Sequence, residues 1–249
     1  MKLAISGKGG TGKTTIAASL AISFSKKGQR VILIDADPDT NLQITLGIKG
    51  EITPLIEMKS LIQERTETKP GQPNIFFKLN PKVDDIPEKF FLKHNNILLG
   101  VMGSVRGGGL GCTCPENAFL KSLLRHLILG RKDVVILDME AGIEHLGRGT
   151  TSGIDYLLII TEPGEKSIET TFKIEKLGKE IGIKNIGVIG NKIKEEKEKK
   201  YIEEKLKNFK ILSFINYYDK IREGEIEGIP PWEKEPRILE EMDKIISKL

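Results

Sequence analysis

Thiols are scarce in this chain: its 249 residues include two cysteines. That number cannot make a disulfide framework of the kind that holds small secreted domains together. Long apolar runs are missing too, and nothing approaches the ~20 residues of a membrane-spanning helix. Charge of one sign is not concentrated. Lys and Arg total 39 against 35 Asp and Glu, a net charge of +4, and no basic stripe of the sort that nucleic acid requires stands out. The first residues, MKLAISGKGG, enter a strand and a loop at once, so no secretory signal is expected. Internal repeats and low-complexity linkers are absent. These gaps together predict one cytoplasmic domain spanning residues 1–249, with no nucleic-acid partner and no stable membrane association.

What is present is an ordinary soluble balance, 39% hydrophobic and 30% charged, with short apolar runs that alternate with amphipathic segments. The runs Lys2–Ser6, Val31–Ile34, Asn96–Val101, Val134–Asp138, Tyr156–Ile160, Ile186–Gly190 and Lys210–Phe214 read as buried strands. Helices are expected at Lys13–Lys26, Glu116–Leu129, Lys166–Ile181, Glu195–Leu206 and Pro236–Leu249. Such alternation predicts an α/β fold, a mostly parallel β-sheet with helices on both faces. The stretch from about 47 to 95, rich in Lys, Glu, Pro and Asn, breaks the pattern and is expected to elaborate the fold as a partner surface. In the last helix Ile238, Leu239, Met242, Ile245, Ile246 and Leu249 share one face. It has balanced charge and no aromatic anchor, so it should pack on the sheet rather than lie on a membrane.

One motif fixes the chemistry. Gly7-Lys8-Gly9-Gly10-Thr11-Gly12-Lys13-Thr14-Thr15 fits G-x-x-x-x-G-K-[ST] between a strand and a helix, the context a phosphate-binding P-loop requires. The glycines let backbone N–H groups turn toward phosphate oxygens, and the helix start adds its positive dipole end. Lys13 would meet the β- and γ-phosphates of ATP, and the Thr14 hydroxyl would ligate Mg²⁺.

Lys8 makes the motif GKGGTGKTT, which resembles the deviant Walker A group of dimeric P-loop ATPases. That group includes the nitrogenase iron protein, partitioning and septum-site ATPases, and metal-insertion ATPases. The resemblance implies a homodimer in which Lys8 reaches the phosphates bound by the other subunit. A second cation there would offset charge on the transferred phosphoryl group.

Carboxylates follow two strands. Asp35-Ala36-Asp37-Pro38-Asp39 resembles the group's first switch, which assigns Asp37 to positioning the attacking water. Asp35 is expected near the Mg²⁺ shell, with capping of the loop and the next helix as its alternative, and for Asp39 that capping role is the expectation. Asp138 closes the run Val134–Leu137 as a Walker B acid would, holding Mg²⁺ through water, and Gly142 then belongs to a second switch. Asn191 has a donor and an acceptor that suit an adenine edge, though Asn after Gly is also a common turn residue. The group's Asn at this place favours adenine. At Ile215-Asn216-Tyr217-Tyr218 the group usually has Ile-Pro-Tyr-Asp. The proline is missing, so no nucleotide contact is carried onto Asn216.

Cys112 and Cys114 lie one residue apart in GLGCTCPE. A disulfide between them would be strained, and the glycine-rich lead-in argues against two buried structural thiols. Thiolates favour soft or borderline metals, usually with four ligands. Each chain supplies two, and His94, His126 and His145 are not clustered with them, so a two-fold dimer would complete the set. Three blocks, NPKVDDIPEKF, GCTCPENAFLKSLLRHL and DMEAGIEHLGRGT, are similar to the nickel-insertion ATPases that mature carbon monoxide dehydrogenase. The resemblance implies Ni²⁺ or Zn²⁺ bound by the Cys pair across the dimer. It also implies nickel delivery driven by ATP hydrolysis to a nickel-dependent client enzyme, carbon monoxide dehydrogenase or acetyl-CoA synthase. The competing expectations are a partitioning or positioning ATPase acting on DNA or membrane, and an iron-sulfur reductase like the nitrogenase iron protein.

Overall fold

A computed structural model of the chain describes residues 1–68, 77–103, 114–141 and 151–249. Its strands are β1 (Lys2–Gly7), β2 (Val31–Ala36), β3 (Leu92–His94), β4 (Ile97–Val101), β5 (Val134–Met139), β6 (Tyr156–Thr161), β7 (Ile186–Ile193) and β8 (Ile211–Asn216). They form one sheet in the order β3-β4-β2-β5-β1-β6-β7-β8. Neighbours are parallel except β3, which runs antiparallel to β4. Strands β1, β2, β4 and β5 are buried along their whole length. That is why they read as unbroken apolar runs: helices cover both faces.

One face carries α1 (Lys13–Lys26) and the last helix, with Ile16, Leu20 and Phe24 meeting Ile238, Met242 and Ile245 over Leu3, Ile5 and Leu33. The apolar stripe predicted for the last helix is therefore spent on the sheet, at ~2 kcal/mol for each fully buried side chain. The other face packs α3 (Lys59–Thr66), α5 (Cys114–Arg125), α6 (Glu165–Glu180) and α7 (Glu196–Lys205), through Ile62, Phe119, Leu123, Ile168, Ile174 and Ile202.

The stretch expected as an elaboration is anchored in this second core. Leu55, Leu61, Ile62, Val83, Ile86 and Phe91 are all buried in it. Its short helix α4 (Ile86–Phe90) is tied down by Glu88, whose carboxylate accepts from Arg30 and Arg131, each at 2.6 Å. The edge strand β3 was not expected. It is three residues long and only partly buried, too short to show a period of two.

All strand carboxyl ends except that of β3 lie along one edge of the sheet. At β1 the chain has strands on either side, since β2 and β5 lie to one flank and β6 to the other. Ligands of open α/β sheets bind at such a switch point, and here the P-loop begins.

Candidate nucleotide site

The loop between β1 and α1 is shaped by its glycines. Gly10 and Gly12 have φ of 82° and 91°, the left-handed region that a side chain disfavours. At Gly12 a Cβ would also come within 2.5 Å of the Asn191 amide nitrogen. Thr11 pins the turn, its hydroxyl donating to the Lys8 carbonyl at 2.9 Å. No side chain caps the start of α1, which leaves its first N–H groups for an anion. Lys13 is buried at that start, and its ammonium lies 3.9 Å from the Asp37 carboxylate. Lys8 is half-buried at the loop mouth, its ammonium held loosely 3.5 Å from the Gly9 carbonyl.

Asp35 and Asp138 sit opposite each other in register on β2 and β5. Their surroundings differ. Asp35 accepts from the backbone N–H groups of Asn41 and Leu42, both at 3.0 Å, and more weakly from that of Asp37 at 3.3 Å. It thus caps α2 (Leu42–Thr45) and closes the switch-like loop. This corrects one expectation: the cap is Asp35, not Asp39. Asp39 is exposed, and its own N–H donates to Asp37 at 3.0 Å. A carboxylate at the end of β2 is already aimed along the sheet edge toward the orphan N–H groups of the next helix, whereas Asp39 is carried out into solvent.

Asp138 is almost fully buried, and among the described residues neither of its oxygens has a partner in a well-formed hydrogen bond, the Thr14 hydroxyl being the one donor that approaches it. Burial pushes its carboxyl up to about 7, with a further rise from Asp35 and Asp37, opposed by the Thr14 hydroxyl and Lys13. Asp35 is pushed up to about 6, chiefly by burial. A buried carboxylate beside the Thr14 hydroxyl, without a cation of its own among the described residues, fits a divalent cation. Among the described residues no three Asp, Glu, His or Cys side chains are grouped to cage a metal. Mg²⁺ at a nucleotide needs no such cage, since it takes one or two side chains, phosphate oxygens and waters.

Beyond the loop opens a cavity of about 690 Å³. It is lined by Gly9, Gly10, Gly12 and Lys13–Thr15 of the loop, by Asp37 and Asn191, and by Tyr217, Tyr218, Arg222 and Ile229 from beyond β8. A cavity that begins at the phosphate loop and extends past it has room for a triphosphate joined to a base. Asn191, expected at an adenine edge, lines the cavity, and its amide nitrogen is engaged with the phosphate loop, donating to the Thr11 carbonyl at 2.7 Å. Asn216, passed over in the sequence, lines the cavity with Tyr217 and Tyr218. Their place at the carboxyl end of β8, next to β7, was the available signal, and the missing proline hid it. Tyr218 is backed by the Arg237 guanidinium, 4.9 Å from the ring centre, which is in turn held by buried Glu235 at 2.6 and 2.7 Å. Cys112 and Gly142 lie outside the described residues. Of Cys114, only its place as the first residue of α5 is described.

Residues 2–232 match the model of the CobQ/CobB/MinD/ParA nucleotide binding domain. The chain belongs to that family. It is 46% identical to an uncharacterized ATP-binding protein of Methanocaldococcus jannaschii over 99% of this chain and 96% of the relative. It is 40% identical to the carbon monoxide dehydrogenase accessory protein CooC of Rhodospirillum rubrum over 100% of this chain and 96% of that protein. Among solved structures it superposes on a septum site-determining protein from Pyrococcus horikoshii complexed with Mg-ADP, with a TM-score of 0.68 and 21% identity, covering 100% of this chain and 96% of that one. The fold is the P-loop NTPase fold, and the protein is a deviant Walker A ATPase of CooC type. No helix among the described residues is long and apolar enough to cross a membrane.

The raised carboxyls predict how stability depends on pH. Between about pH 4 and 7 folded Asp138 keeps a proton that the unfolded chain has lost, so stability falls as pH rises across that window and levels off above it. Nucleotide-free protein should therefore melt at a higher temperature at pH 5 than at pH 7.5. Asp138→Asn should remove most of the slope. Calorimetry across this range checks it, and an unchanged slope in the variant would show that other groups cause it.

Proposed function

We propose that the protein is a homodimeric metallochaperone that binds one Ni²⁺ or Zn²⁺ through Cys112 and Cys114 of two chains and uses ATP hydrolysis to assist nickel insertion into carbon monoxide dehydrogenase. The observation that supports this most is the full-length likeness to an accessory protein of that enzyme, in a chain whose two cysteines form a Cys-x-Cys pair. The fold adds a physical reason for linking metal to ATP. The crossover from β4 through α5 to β5 is parallel, so the first residue of α5, Cys114, starts on the carboxyl edge of the sheet where the nucleotide cavity opens.

In this reading Lys13 and the loop N–H groups of Gly9–Thr15 hold the phosphates. Thr14 and Asp138 hold Mg²⁺, which would offset phosphate charge. Asp37, 3.9 Å from Lys13, orients the attacking water once the nucleotide's phosphates take over the lysine. Lys8 supplies its cation to the neighbouring subunit. Asn191, in the cavity lining, meets the adenine edge through its amide oxygen. Nickel-free dehydrogenase incubated with the protein, nickel and ATP should gain activity beyond that given by nickel alone. No gain over nickel alone would sink the assignment to this client. A brown, iron-loaded dimer after anaerobic purification would favour the reductase instead.

Asp37→Asn tests the hydrolytic part. It should bind MgATP, hydrolyse it very slowly and collect as an ATP-bound dimer, because the phosphate cradle is intact while the water loses its acceptor. Sizing with saturating ATP checks this, and a monomeric variant would refute either the switch role or ATP-driven dimer closure.

A further inference from the structure

Strand β7 ends in a way that concerns the ATP site and is independent of any bound metal. In a regular strand consecutive side chains point to opposite faces. Here the register with β8 shifts between Gly190 and Ile193, and Lys192 has φ of 60°, a left-handed conformation that a long side chain seldom takes. The irregularity turns two adjacent side chains the same way. Asn191 donates to the Thr11 carbonyl at 2.7 Å, and the Lys192 ammonium donates to the Gly10 carbonyl. Glu162, at the end of β6, lies 3.6 Å from that ammonium and steadies it. Two successive carbonyls of the phosphate loop are thus held outward from a neighbouring strand, across 180 residues of sequence.

From this geometry we infer that Lys192 is a positioning residue for nucleotide binding, which with Asn191 clamps the Gly10 and Thr11 carbonyls against β7 and so keeps the loop N–H groups turned toward the phosphates before nucleotide arrives. A loop rich in glycine has many other conformations, and left-handed Gly10 has no side chain to hold it. A peptide flip at Gly10 would aim a carbonyl oxygen at the phosphate. The clamp raises the fraction of protein that is ready to bind, and apparent affinity scales with that fraction. Strain at Lys192 is maintained because the bulge places its ammonium where a regular strand would not.

The test compares Lys192→Met, which keeps the aliphatic stem without the charge, with Lys192→Arg. Wild type and both variants are titrated with ADP and with a non-hydrolysable ATP analogue, and assayed for kcat and KM. Lys192→Met should bind both nucleotides about tenfold more weakly, as if roughly a tenth of the loops were competent. Its KM should rise in step, with kcat and melting temperature nearly unchanged. Lys192→Arg should recover most of the affinity, since a guanidinium can donate to the same carbonyl. Unchanged affinities in Lys192→Met overturn the inference. So does a loss for the ATP analogue much larger than for ADP, because the ammonium would then be acting on the γ-phosphate itself. A lowered melting temperature with equal loss in Lys192→Arg also overturns it, by reducing Lys192 to a fold-stabilising residue.

Discussion

Lys8→Ala should bind MgATP almost normally and hydrolyse it roughly 10³–10⁵-fold more slowly, the range that a cation supplied in trans contributes in related phosphoryl transfers. Lys13→Ala should instead lose nucleotide affinity. The difference follows from where the two ammonium groups lie. Lys13 is buried at the start of α1, beside Asp37, where its own chain's phosphates would sit. Lys8 is half-buried at the mouth, tied only loosely to its own loop by a 3.5 Å contact with the Gly9 carbonyl. Mixing two dead variants separates action in trans from action in cis. In a mixed dimer of Lys8→Ala and Asp37→Asn, one site has both its own Asp37 and a lysine from the other chain. Random mixing should then restore roughly a quarter of wild-type turnover, since half the dimers are mixed and each has one competent site of two. If Lys8 works within its own chain, both sites of the mixed dimer lack one essential group and nothing is recovered. Normal turnover by Lys8→Ala alone would refute the role outright.

The residues that the sequence made legible are those whose signal is local. The P-loop is nine consecutive residues between a strand and a helix, and its glycines, Lys13 and Thr14 fall where the motif puts them. Asp138 falls near the carboxyl end of buried β5, where the apolar run Val134–Leu137 puts it. What was hidden depends on distant parts of the chain. Asp35 faces backbone six and seven residues away in a short helix that no periodicity announces. The Lys192 contact with Gly10 exists because β7 and β8 slip their register, and nothing in the run Ile186–Ile193 shows a bulge. Asn216 reaches the cavity through sheet order, not through its neighbours. The segment around 47–95 shows no period because its buried residues, Leu55, Leu61, Ile62, Val83, Ile86 and Phe91, are scattered through a polar stretch and meet the core from several short elements.

Replacing Cys112 or Cys114 by Ser should weaken metal binding by more than ~100-fold, beyond the ~10–100-fold that loss of a partner outside the ligand set costs. Wild-type protein should bind one ion per two chains, because each chain offers two thiolates and a closed site with a soft or borderline metal takes four. Affinity should fall in acid, since thiols must lose their protons to ligate. ATP hydrolysis should fall less than metal binding, because neither cysteine belongs to the phosphate loop. In the proposed reading the two sites would be joined through one structural unit. Helix α5 begins at Cys114 and leads into β5, which ends beside Asp138. If ATP favours one arrangement of that unit across the dimer, it must change metal affinity, and metal must change ATP affinity by the same factor. Chelator competition run without nucleotide, with ADP and with a non-hydrolysable ATP analogue measures both quantities. One ion per chain would rule out the shared site. Equal metal affinity in all three nucleotide states would keep the site but exclude a shift in metal affinity as the means by which ATP drives delivery.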